Sequence, residues 1–127
     1  MTACIGSRAR YVPLLISQGE TEVLPFTVAG PDDVGADITG YSFKASIRRR
    51  PSSVSAVAEF SYSITDAVNG LVSIALTGAQ TAAIGASDRE TDPGSRYAWD
   101  LFCTSPSGTV TKLAYGPVTV SARVTRA

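Results

Sequence analysis

Histidine is missing from this chain altogether. That removes the commonest general base and the commonest metal ligand together. A Ser-His-Asp or Cys-His arrangement within the chain is therefore excluded. Cysteine is nearly missing too. Cys4 and Cys103 stand far apart in sequence, and a zinc site needs Cys or His in groups. A bond between the two stays open, because sequence alone does not bring their Cβ atoms within reach. Charge is scarce at 17%, and eleven basic residues balance eleven acidic ones. Whole-chain electrostatics thus give no footprint for DNA or RNA, and the low charge suggests surface covered by partners. No apolar run approaches the roughly 20 residues that span a bilayer as a helix. The opening MTACIGSRAR has no signal-peptide core. The expectation is a protein made in the cytoplasm, used without signal-directed export, and contacting neither nucleic acid nor membrane.

What is present is alternation. Apolar residues make up 44% of 127 residues, enough for one domain with a core of its own. From Tyr97, Trp99, Leu101 and Cys103 alternate with Ala98, Asp100, Phe102 and Thr104, the period of a strand with one buried face. Ser105-Pro106-Ser107-Gly108 turns the chain, and a second alternating run leads through Gly116-Pro117 to Val118 and Val120. Tyr41 to Arg50 repeats the pattern, with Phe43 and Ile47 on one face. So do Ala58 to Thr65, with Phe60 and Ile64, and Val72 to Thr77, with Ile74 and Leu76. Between the last two, Asn69-Gly70 favours a tight hairpin. Thr77 with Gln80 forms a capping-box pattern for a short helix that Gly85 can end. Tyr11 to Ser17 carries Pro13, which marks an edge strand.

These signals predict an all-β fold. It would be an immunoglobulin-like antiparallel β-sandwich of about seven to eight strands, with one short helical turn near 77–85. One domain would span 11–127 after a lead-in at 1–10. Phe43, Ile47, Phe60, Ile64, Ile74, Leu76, Trp99 and Leu101 form the expected core, with Cys103 as a small buried apolar residue. The Cys…Trp…Cys spacing of antibody domains is absent, so the likeness is one of architecture.

Chemistry-bearing groups lie mostly in expected loops. Asp32, Asp33 and Asp37 sit in the loop Gly30–Gly40; Asp88, Arg89 and Glu90 sit in the loop Ser87–Ser95. Both acidic groups read as solvated loops. A loop calcium site is the sharper reading of the first, although its spacing is not that of an EF-hand. Asp100 is expected to pair with Lys112 across the hairpin. Arg48-Arg49-Arg50 is the single basic cluster. It reads as a charged strand end that discourages edge pairing, or as a contact with an acidic partner surface. Tyr11, Phe102 and Tyr115 fall off the main apolar phase, which allows an aromatic platform for a sugar. No catalytic residue, cofactor or metal is expected.

The order of segments resembles small structural proteins of tailed bacteriophages. The matching residues are Thr39-Gly40-Tyr41, Phe43-Lys44-Ala45, Ile47-Arg48, Asn69-Gly70, Leu76-Thr77, Gln80-Thr81, Trp99-Asp100-Leu101, Gly108, Leu113, Gly116 and Val124-Thr125-Arg126. The pattern is similar to the immunoglobulin-like N-terminal domain of baseplate upper proteins, without their long extension for fibre assembly. The resemblance implies a non-enzymatic virion component, a small tail, baseplate or adaptor piece. It would bind other virion proteins and itself as a symmetric oligomer. The alternatives are a capsid decoration protein and a carbohydrate-binding module for host attachment. Arg48, Arg49, Arg50, Asp32, Asp33, Asp88, Arg89 and Glu90 are the expected partner contacts, and the edge segment Tyr11–Ser17 could add to a neighbour's sheet.

Overall fold

The computed structural model describes residues 2–4, 9–30, 35–50, 54–85 and 95–122, with backbone alone at 2–4, 95 and 96. Within them run β1 (Thr2–Cys4), β2 (Arg10–Tyr11), β3 (Leu14–Ser17), β4 (Glu22–Ala29) and β5 (Ser42–Arg48). Then come β6 (Ala58–Glu59), β7 (Ser61–Asp66), β8 (Leu71–Leu76), α1 (Gly78–Ala83), β9 (Ser95–Thr104) and β10 (Val110–Ser121). The strands form two sheets. The smaller has the order β1-β4-β8-β7; the larger has β2-β10-β9-β5-β6, with β3 also on β10. The stretch expected as a lead-in supplies β1 and the start of β2.

Two expectations need correction. The described residues form ten strands rather than seven or eight, because proline and sheet-switching cut longer runs into pieces. Nor is the pairing wholly antiparallel: β1 lies parallel to β4, and β2 and β3 lie parallel to β10. A parallel neighbour needs a long crossover rather than a hairpin, and the whole intervening chain supplies it. The run Tyr11–Ser17 does lie at an edge, but Val12-Pro13 splits it. Pro13 has no N–H for the ladder, so β2 stops and β3 resumes two residues on.

The split is held from below. Val12 N–H donates to the Tyr115 carbonyl at 2.8 Å, and the Val12 carbonyl accepts the Trp99 indole N–H at 2.8 Å. That carbonyl sits 2.3 Å from where a Cβ on Gly116 would be. Glycine is thus the residue that lets the N-terminal chain approach β10 this closely.

One cluster of buried side chains draws on both sheets. Phe26 of β4 meets Phe43 of β5 edge to face, with centroids 6.1 Å apart. Phe43, Ile47, Ile74, Leu76, Trp99 and Leu101 are all buried, and so is Cys103. Phe60 and Ile64 are half-buried and pack against this cluster. Phe60 sits between β6 in the larger sheet and β7 in the smaller, where its ring packs on Trp99 at 6.0 Å. Tyr62, which shares the alternation of Phe60 and Ile64, is 44% exposed, because β7 is an edge strand and the core ends there. Ile38, in the loop Gly30–Gly40, is fully buried and donates its N–H to the Ala67 carbonyl at 2.8 Å.

The helix follows its cap signal. Thr77 Oγ1 accepts the Gln80 N–H at 3.1 Å, and Gln80 Oε1 accepts the Thr77 N–H at 2.9 Å. Ile84, not Gly85, is the C-cap. Buried Thr81 ties the helix to the β3–β4 turn. Its hydroxyl donates to the Glu20 carbonyl at 2.7 Å and accepts the Gly19 N–H at 3.1 Å.

Candidate functional site

The register across the larger sheet builds a row of side chains on its outer face. Tyr11 of β2 stands beside Tyr115 of β10, Tyr115 beside Asp100 of β9, Asp100 beside Ser46 of β5, and Ser46 beside Glu59 of β6. A bulge sets this row. The β9–β10 register shifts between Lys112 and Ala114, so Leu113 and Ala114 are both buried while Lys112 and Tyr115 both face out. Bulges re-aim side chains in this way. Strict alternation running on from Leu113 would have turned Tyr115 inward, whereas counting back from Val118 and Val120 puts it on the outer face.

The side chains along the row differ in size, and a cleft results. Ala98, Asp100 and Ser46 are short and lie in the middle of the sheet. Tyr11, Tyr115 and Lys112 rise on the β2–β10 side and Arg48 on the β5 side. The volume between them is ≈ 370 Å³, at the small end of ligand-binding clefts. Tyr11 and Tyr115 pack edge to face, with centroids 5.6 Å apart and planes at 73°. They remain 60% and 40% exposed. Lys112 Nζ lies 5.0 Å from the Tyr115 ring centroid and 6.0 Å from that of Phe102, within cation–π range.

This corrects the expected pairing of Asp100 with Lys112. The bulge sets Lys112 opposite Phe102 and Asp100 opposite Tyr115. The three aromatic residues that fell off the apolar phase are, by contrast, brought to one face.

The outer face of the smaller sheet has another chemistry. Val23, Ala75 and Ser61 form one cross-strand row there, and Pro25, Ser73 and Ser63 the next; Thr27 stands opposite Leu71. None of these side chains is charged. Asp66 stands at the corner opposite Leu71 and accepts from Asn69 Nδ2 at 2.7 Å. A shallow hollow of ≈ 320 Å³ opens beside it, lined in part by Pro25, Thr27, Thr65 and Leu71.

The three arginines have different surroundings. Arg48 is half-buried, lines the cleft, and donates from Nη1 to the Val54 carbonyl. Arg49 places its guanidinium 5.7 Å from the Tyr97 ring centroid, and Arg50 is exposed beyond the strand end. β5 ends at Arg48, so Arg49 and Arg50 lie beyond the ladder, where the chain bends. Asp32, Asp33, Asp88, Arg89 and Glu90 lie outside the described residues. Asp37 is described: its Oδ1 accepts both the Thr39 N–H at 3.0 Å and the Thr39 hydroxyl at 2.6 Å, and these bonds hold its carboxyl below the usual range.

Among the described residues no group of three His, Cys, Asp or Glu side chains is placed to hold a metal ion. No helix among them is long and apolar enough to cross a membrane. Cys103 is a buried free thiol, and burial pushes its pKa up.

No protein-family model and no curated protein matches the chain. Among solved structures it is similar to a crystal structure of the bradyzoite-specific antigen BSR4 from Toxoplasma gondii, at 14% identity and a TM-score of 0.38. The match covers 92% of this chain but 45% of the antigen chain, so this chain spans under half that length. A likeness at this level carries no argument about fold or function.

Proposed function

We infer that the chain is an immunoglobulin-like β-sandwich and a virion structural protein of a tailed bacteriophage. It would be a small tail, baseplate or adaptor component that assembles with other virion proteins and with copies of itself. The sandwich reading is supported by the common core of the two sheets and by the strand that passes from one to the other at Phe60. The virion reading is supported by the sequence resemblance from Thr39 onward, over the middle and closing strands.

The observation that carries the assembly role is the uncharged outer face of the smaller sheet. The centre of a protein interface is depleted of charge; this face shares that feature, though its serines and alanine are not the residues interfaces favour. Val23, Pro25 and Leu71 present apolar side chains, and Ser61, Ser63, Ser73 and Ala75 small neutral ones, in register over three strands, with Asp66 at one corner to set orientation. Such a face suits a flat partner repeated by symmetry.

Cryo-electron microscopy of the purified particle tests this. Ordered copies at the tail, neck or baseplate, seated through the smaller sheet, are the expected result. Copies on the capsid would make it a decoration protein. Absence from the particle would overturn the reading. A Ser63→Lys, Ser73→Lys double variant that folds normally should fail to incorporate.

A further inference from the structure

We propose that the cleft on the outer face of the larger sheet is a binding site for a pyranose sugar. The inference goes beyond assembly and rests on a different face of the molecule. Its ground is the row Tyr11–Tyr115–Asp100–Ser46, assembled from four strands by register and by the bulge at Leu113.

The lining selects among ligand chemistries. A purely apolar ligand would cover the Asp100 carboxylate and leave it without a partner, which is costly. A phosphate would meet Lys112 and Arg48 but would also face Asp100 at the centre of the row. A sugar uses all of these groups. Its C–H faces are apolar and weakly positive, which suits the negative face of an aromatic ring. Its hydroxyls donate to a carboxylate and accept from an ammonium or guanidinium. Tyr11, the more exposed ring, offers the stacking surface. Tyr115, packed between Tyr11 and the Lys112 ammonium, holds that surface in place. Asp100 and Ser46 take the hydroxyls from the floor. The volume of ≈ 370 Å³ suits one or two sugar units rather than a long chain.

Rings held by their neighbours lose little freedom on binding, which favours a preformed site. The wall and floor are also independent of the uncharged face of the smaller sheet. Loss of sugar binding therefore does not touch the assembly reading, and absence from the particle does not touch this one.

The test is titration of the 15N-labelled protein, followed by amide shifts, with methyl α-glucopyranoside, methyl β-galactopyranoside, methyl α-rhamnopyranoside, N-acetylglucosamine and methyl β-glucuronide. At least one should shift the amides of Tyr11, Ala98, Asp100 and Tyr115 saturably, with a Kd in the millimolar range, on the order of 1–10 mM. Tyr11→Ala and Asp100→Asn should each weaken that binding by about tenfold or more, with unchanged thermal melts. No saturable shift with any of the five up to about 50 mM would overturn the proposal. So would binding that survives both variants. Shifts at these residues that follow protein concentration without sugar would assign the cleft to a second copy of the chain, and would overturn it as well.

Discussion

The indole N–H of Trp99 donates to the carbonyl of Val12 at 2.8 Å, across 87 residues of sequence. Trp99 is thus both a core side chain and the peg that fixes the break between β2 and β3. Replacing it with Phe keeps most of the packing but orphans a partly buried carbonyl, at a cost of about 1–3 kcal/mol. Replacing it with Ala should cost about 3–5 kcal/mol. Urea denaturation of the two variants separates the terms. An unchanged midpoint for Trp99→Ala would refute its place in the core.

Gly116→Ala should be harmful although alanine is small. Its Cβ would fall 2.3 Å from the Val12 carbonyl oxygen, a backbone atom, so the N-terminal chain must move away. The expected loss is about 1–3 kcal/mol, with faster hydrogen exchange at residues 10–17 than in β4 or β8.

Thr81→Val swaps a hydroxyl for a methyl of similar size inside the fold. The Glu20 carbonyl and the Gly19 N–H both lose their partner. A loss of about 1–3 kcal/mol is expected, read as a lower melting temperature. Thr77→Ala at the exposed cap should cost about 1 kcal/mol.

Burial raises the Glu22 carboxyl above its ordinary value of 4.5, and neighbouring Glu20 adds repulsion. The folded chain holds that proton to higher pH than the unfolded chain does. Glu22 therefore lowers stability once pH rises above its unfolded value, and lowers it fully above its folded value. Glu22→Gln should melt slightly higher than the parent at neutral pH, and the difference should vanish below about pH 4. Asp37 has the opposite sign: the stability from its bonds to Thr39 is present above its ordinary value of 3.8 and lost as pH falls through its lowered one.

In a Cys4→Ser background, the Cys103 thiol should resist alkylation in the native protein. It is buried and its pKa is raised, while only the exposed thiolate reacts fast. Iodoacetamide labelling should appear with the unfolding transition. Rapid labelling without denaturant would contradict its burial.

Much of the fold could be read from period alone. β5, β8, β9 and the second half of β10 stand where alternation set them, because each buries one face against the same core. The helix followed from Thr77 and Gln80. The parallel seating of β2 and β3 was hidden, since no local signal tells which distant strand an edge segment will join. The bulge at Leu113 was hidden too, and with it the register that separates Lys112 from Asp100 and turns Tyr115 outward. Tyr11 and Tyr115 could be marked as out of phase, but only the ladder across 104 residues brings them together. Ile38 gave no pattern, being a lone apolar residue in a polar loop.

The seating of β2 and β3 against β10 has a consequence for synthesis. Segments made early belong beside a strand made about a hundred residues later. While translation proceeds, the larger sheet lacks β9 and β10, and the apolar stretch Val12 to Ile16 has nowhere to lie. The smaller sheet, whose β4, β7 and β8 all precede residue 77, can form earlier. Folding of the larger sheet must then wait on closure of a loop of about a hundred residues, a slow step in chains rich in distant contacts, and the waiting N-terminal segment is open meanwhile to pairing with another copy.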